Sequence, residues 1–69
     1  MDFHELEAFL ALADTLHFGR AASRAALSPS ALSRLITRLE EEQGVALFER
    51  DSRRVELTEE GNLFREFAR

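Results

Sequence analysis

Apolar residues recur at Leu6, Phe9, Leu10 and Ala13, intervals of three and four that place them on one side of a helix. Asp2 and Glu5 stand in the spacing of a capping box just ahead of that pattern, so the helix begins at the N-terminus with an acidic outer face. His17, Phe18 and Gly19 interrupt the rhythm. Ala21, Ala22 and Ala25 then offer a narrow apolar stripe, which predicts a short second helix able to approach a neighbour closely. Ala26, Leu27 and Ser28 read as a tight turn. Ser28-Pro29 is a strong start for a third helix, since serine caps and proline at the first position loses no useful N–H.

The third helix is predicted from Pro29 to Gln43 and ends at Gly44, which can take the left-handed conformation. Its two faces differ in kind. At about 100° per residue, Leu32, Leu35, Ile36 and Leu39 fall on one side and Ser30, Ser33, Arg34, Thr37 and Arg38 on the other. Beyond Gly44, the segment 47–57 predicts a short hairpin, with Phe48, Glu49 and Arg50 before the turn-prone Asp51-Ser52 and an alternating Arg53 to Leu57 after it. Thr58 caps a last helix, Glu59 and Glu60 suit its positive end, and Phe64, Phe67 and Ala68 are predicted to line one face. The pattern is still running at Arg69.

A chain of 69 residues supports one small domain, without room for a large active-site cavity. Hydrophobic residues at 45% and charged ones at 32% suit a compact fold rather than a disordered tail. Cysteine is absent, which excludes disulfides and thiolate metal sites. No secretory leader and no run of about 20 apolar residues appears, so a cytoplasmic location is expected, with no membrane contact. The net charge of −4 argues at first against a polyanionic partner. Its distribution reverses that impression, because His17 to Leu39 carries Arg20, Arg24, Arg34 and Arg38 and no acid, while Met1 to Leu16 carries only acids. All nine bases are arginine, which suits bidentate contacts to phosphate and guanine; a GC-rich coding sequence is an equally good explanation.

Two helices joined by a tight turn, the second with a small, polar, cationic face, make a helix-turn-helix whose second helix fits the major groove. Ser30 and Ser33 let that helix sit close to base edges, with Thr37 and Arg38 further along the same face. Arg34 can reach guanine through two hydrogen bonds, and the amides of Ser28, Ser30 and Ala31 can hold a phosphate. The hairpin then becomes a wing that carries Arg53 or Arg54 to the backbone or an adjacent minor groove. The fold class expected is mainly α, a winged helix-turn-helix with a two-stranded wing, and the partner is double-stranded DNA.

The residues that carry this reading also match a known pattern. Phe9 to Leu12, His17-Phe18-Gly19-Arg20-Ala21-Ala22, Ser28 to Arg34, Leu39-Glu40, Gly44, Leu47-Phe48, Arg50, Arg53 and Leu57-Thr58-x-x-Gly61 resemble the N-terminal domain of LysR-type bacterial transcriptional regulators. The resemblance covers essentially the whole chain without a gap. It implies a DNA-binding domain over residues 1–57, the start of a linker helix over 58–69 that pairs two subunits, a possible tetramer, and an effector-binding domain outside this chain. It also implies groove-facing roles for Ser33 and Arg34, a backbone contact for Arg50 and a wing contact for Arg53. Within the family, the run His17 to Arg20, the Ser-Pro-Ser opening and Arg50-Asp51-x-Arg53 are most similar to the branch that regulates branched-chain amino-acid biosynthesis. Three positions depart from the family pattern. Ser28-Pro29-Ser30-Ala31 replaces Ser-Gln-Pro-Ala and so loses a base-reading glutamine, Gln43 replaces an apolar residue expected on the core side, and Glu60 replaces alanine; the last two are expected to weaken packing.

Other chemistry finds little support. His4 and His17 have no further ligand at metal spacing, and a surface or helix-end role is expected for both. Glu40-Glu41-Glu42 reads as a solvated helix end, with Glu40 paired to a nearby arginine. No catalytic arrangement of Ser, His and Asp and no Gly-rich phosphate loop is present, so no enzyme and no cofactor is expected. The six phenylalanines read as core. The rival readings are a winged-helix scaffold that binds a protein partner, and a short repressor that pairs with a longer homologue.

Overall fold

The computed structural model describes residues 1–69. Three helices come first: α1 (Phe3–Thr15), α2 (Phe18–Arg24) and α3 (Pro29–Gln43); a hairpin of β1 (Phe48–Arg50) and β2 (Val55–Leu57) precedes α4 (Glu59–Ala68). The expected mainly helical winged architecture is the one observed.

Local chemistry explains each boundary. Asp2 and Glu5 form the reciprocal capping box at the start of α1, which ends where Leu16 turns left-handed at φ 53°. The break before α2 is shorter than the sequence pattern indicated, because His17 Nδ1 accepts the Arg20 N–H at 3.1 Å and restarts the helix at Phe18. His4 Nε2 lies 3.0 Å from the Ala25 carbonyl and ties α1 to the end of α2. Both histidines thus serve helix ends. In the turn before α3, Ala26 adopts φ 58°, a region that a β-carbon occupies at a cost of about 1–2 kcal/mol. Ser28 then caps α3 and Gly44, at φ 75°, closes it.

The core contains fourteen apolar residues and no polar one. α1 buries Ala8, Phe9, Ala11, Leu12 and Ala13, a wider face than the stripe read from the sequence, because α2, α3 and α4 all pack against it. Leu6 and Leu10 are only half-buried. Phe9 is the meeting point of the elements, its ring 5.5 Å from that of Phe48 on the wing and 4.9 Å, edge-on, from that of Phe64 on α4. α3 buries Leu32, Leu35, Ile36 and Leu39 as expected.

Three expectations need correction. Gln43 and Glu60 are exposed and take no part in packing: the buried stripe of α3 ends at Leu39, and Glu60 faces water in the first turn of α4. Phe64, Phe67 and Ala68 do not share one face. Phe64 and Ala68, a turn apart, lie half-buried on the body, whereas Phe67 is 86% exposed and shares its outward side with Leu63 at 62%. Not all six phenylalanines are core either, since Phe3 joins Phe67 in solvent at 76% exposure.

The joint between wing and α4 is close. Thr58 Oγ1 caps α4 through the Gly61 N–H at 2.9 Å and donates to the Ala46 carbonyl at 2.7 Å, while the Thr58 N–H reaches the Leu47 carbonyl at 3.0 Å. Gly61 is buried here, and a β-carbon on it would overlap the Leu47 carbonyl oxygen and press on Leu57. The spacing Thr58-x-x-Gly61 is therefore a docking device. Gly61→Ala should lower stability by about 1–3 kcal/mol, the usual range for overpacking. The exposed neighbouring change Glu60→Ala should stay within about 0.5 kcal/mol of the parent. Urea unfolding of the two variants checks this, and a Gly61→Ala protein as stable as the parent would rule out the tight joint.

Candidate nucleic-acid interface

α3 presents the polar face that its periodicity predicted. Ser30, Arg34, Thr37 and Arg38 are exposed, and Ala31 and Ser33 are half-buried beside them. The first turn is partly committed to its own cap: the Ala31 N–H donates to Ser28 Oγ at 3.2 Å and the Leu32 N–H to the Ser28 carbonyl at 3.0 Å. Pro29 has no N–H. Of the amides assigned to anion binding in this turn, Ala31 is thus already used, and those of Ser28 and Ser30 are the open donors. The Ser30 hydroxyl lies 3.4 Å from that of Ser28.

The wing is pinned at both ends. β1 and β2 pair antiparallel in the register Phe48 with Leu57 and Arg50 with Val55. At the tip, Asp51 Oδ1 accepts the N–H groups of Arg53 at 2.8 Å and Arg54 at 2.9 Å, and its own N–H reaches the Arg54 carbonyl at 3.0 Å. These bonds explain why Asp51-Ser52 turns. At the base, Glu40 Oε2 accepts the N–H groups of Leu47 at 2.9 Å and Phe48 at 3.1 Å, so a side chain of α3 holds the backbone that starts the wing. The expected partnership of Glu40 with an arginine is present, to Arg50 at 3.4 Å. That helix-end glutamate is a structural residue and not merely part of a solvated run.

Eight of the nine arginines fall into two groups. Arg38 is bound to Glu5 at 2.7 Å, Arg50 to Glu40, Arg54 to Glu56 at 3.6 Å and Arg69 to Asp14 at 3.0 Å. Arg20, Arg24, Arg34 and Arg53 are exposed and have no carboxylate or other side-chain partner. Arg65 bonds only to Asn62, at 3.1 Å. Glu5 serves two partners, accepting from the Asp2 N–H at 3.0 Å and from Arg38. The Asp2 hydrogen bond first, and the Arg38 guanidinium second, hold its carboxyl below the ordinary carboxylate value. The acidic N-terminal segment is therefore in part a counter-charge for α3.

Arg20 and Arg24, one turn apart on α2, extend the unpaired positive charge beyond the residues singled out from the sequence. Charge segregation pointed to them, but nothing in the chain alone showed that they lack acidic partners. No three His, Asp or Glu side chains converge as a metal ion requires. No helix is long and apolar enough to cross a membrane.

Comparison with known proteins matches this arrangement to one family. A family model described as bacterial regulatory helix-turn-helix protein, lysR family, matches residues 3–62. The HTH-type transcriptional activator IlvY of Salmonella typhimurium is 54% identical over 68 residues, which cover 99% of this chain and 23% of the relative. The chain thus spans less than a quarter of that protein's length. Among solved structures, BenM_DBD in complex with benA site 1 DNA is similar with a TM-score of 0.90 at 40% identity, over 99% of this chain and 76% of that one. CbnR_DBD in its DNA complex has a TM-score of 0.91 at 38% identity, over 99% and 78%. Coverage, identity and fold agree, and the chain belongs to the LysR family of bacterial regulatory helix-turn-helix proteins.

Proposed function

We propose that this domain binds duplex DNA sequence-specifically on behalf of a bacterial transcriptional regulator, with α3 in the major groove and the wing over an adjacent minor groove. The observation that carries the reading is that Arg34 on α3 and Arg53 at the wing tip are exposed and uncompensated, while Glu40 of α3 holds the backbone that starts the wing between them. Arg34 reads a guanine, with Ser30, Ser33 and Thr37 against neighbouring base edges or phosphates. The Ser28 turn and the Ser30 amide receive a phosphate at the start of α3, and Arg20 and Arg24 of α2 meet the backbone that this helix crosses. Arg38 and Arg54 are secondary contacts, since each must first leave a carboxylate. The activity is binding rather than catalysis, and no cofactor enters it. Similarity to IlvY regulators favours the branch concerned with branched-chain amino-acid biosynthesis.

Residues 1–57 form the DNA-binding unit in this reading, and 58–69 begin the linker helix. α4 has two duties, because Gly61 and Phe64 complete the domain while Leu63 and Phe67 stay exposed. The exposed pair forms the first turn of a homodimer seam, with tetramers open to a longer protein, a separate effector domain and a cytoplasmic location. A two-fold dimer implies a palindromic target with half-sites about one helical turn, or a multiple, apart.

Arg34→Ala is expected to weaken binding to the preferred site by about 1–3 kcal/mol and to relax preference at one base pair, with a much smaller effect on random DNA. Titration of a site library measures both, and equal losses on all sequences would reassign Arg34 to phosphate. Arg53→Ala should lower the preference for A/T-rich flanks and spare the central base pairs; an unaltered flank profile would remove the wing from the minor groove. For assembly, Phe67→Ser should reduce binding to DNA with two half-sites more than to a single half-site, because only the former joins two modules. Sedimentation with each DNA decides this, and equal effects on the two would eliminate the Leu63–Phe67 seam.

A further inference from the structure

Arg50 is placed unlike the other arginines of the proposed interface. It is the last residue of β1, on the rung paired with Val55 from which the wing tip springs. Its guanidinium carbon lies 5.3 Å from the centre of the Phe18 ring on α2, within cation–π range, and its Nη2 donates to Thr37 Oγ1 at 3.1 Å and Glu40 Oε1 at 3.4 Å on α3. One side chain thus joins the wing to both helices of the helix-turn-helix. Glu40 cannot withdraw to make way for another anion, because its second oxygen holds the Leu47 and Phe48 amides. A phosphate on Arg50 would stand against a carboxylate fixed beside the same guanidinium.

We propose that Arg50 is a positioning residue that sets the angle and rigidity of the wing, and thereby the flank preference exerted through Arg53, rather than a phosphate contact in its own right. The inference rests on the DNA-binding reading above. A planar guanidinium suits this place because it stacks on a ring and bonds sideways at once, which an ammonium cannot do. The shared Thr37 hydroxyl also gives α3 a direct link to the wing.

The test uses Arg50→Gln, Arg50→Lys and Phe18→Leu, the last touching the strut from its far side without altering charge. In the free domain, amide relaxation should show increased mobility at Ser52 to Arg54 in all three; unchanged order in Arg50→Gln would overturn the proposal without involving DNA. On DNA, Arg50→Gln should keep the parent's salt slope and lose most of the ratio between A/T-flanked and G/C-flanked sites, with little further loss when combined with Arg53→Ala. A phosphate contact predicts the opposite: a slope lower by roughly 0.9 log units per decade of salt, an intact flank ratio, and rescue by lysine. Phe18→Leu should reduce the flank ratio in the same direction, which keeps the test decisive if Arg50→Gln folds poorly. Failure of the parent to prefer any sequence would count against the DNA reading, and the relaxation result would still decide the role of Arg50.

Discussion

The Glu40 carboxylate is the constraint on which the functional geometry depends. One oxygen accepts two consecutive backbone amides at the start of the wing and the other meets Arg50, so a residue of α3 determines where the next structural unit begins. Hydrogen bonds to a charged group contribute about 1.5–3 kcal/mol each, and leaving buried amides unpaired costs a similar amount. In a domain of this size that is a large share of total stability. The same bonds that hold the fold therefore set where the wing, with Arg53 at its tip, stands relative to α3, which carries Arg34.

Charge in this domain is arranged by pairing more than by sum. A net charge of −4 is compatible with a polyanionic partner because acids from α1, α3 and β2 neutralise arginines at chosen places and leave others bare. Exposed pairs such as Arg54 with Glu56 add little stability. Arg34 and Arg53, with Arg20 and Arg24, are the arginines left uncompensated.

Close packing sets the remaining geometry. Phe9 carries contacts to both the wing and α4, and the absence of a side chain at Gly61 lets α4 lie directly on the Leu47 carbonyl. α4 thereby becomes part of the core on one side while Leu63 and Phe67 project from the other.

Local signals were sufficient for the elements themselves. The Asp2–Glu5 box, the Ser28-Pro29 start, the Gly44 stop and the Asp51 turn act through bonds within a few residues, and the chain states them directly. The division of α3 into apolar and cationic faces was legible for the same reason, since helical periodicity depends only on spacing. What each polar side chain does depends on residues far along the chain. An arginine partner for Glu40 was legible, but that it is Arg50, and that Arg38 meets Glu5 across 33 positions, followed only from folding, so the set of available cations could not be read from charge counts. Gln43 and Glu60 looked like packing faults until the structure showed where the core ends. Phe64 and Phe67 looked equivalent at three residues apart, yet the position of Phe9 decides that one is core and the other surface. Periodicity is a property of the chain, whereas burial and ion pairing belong to distances that exist only after it folds.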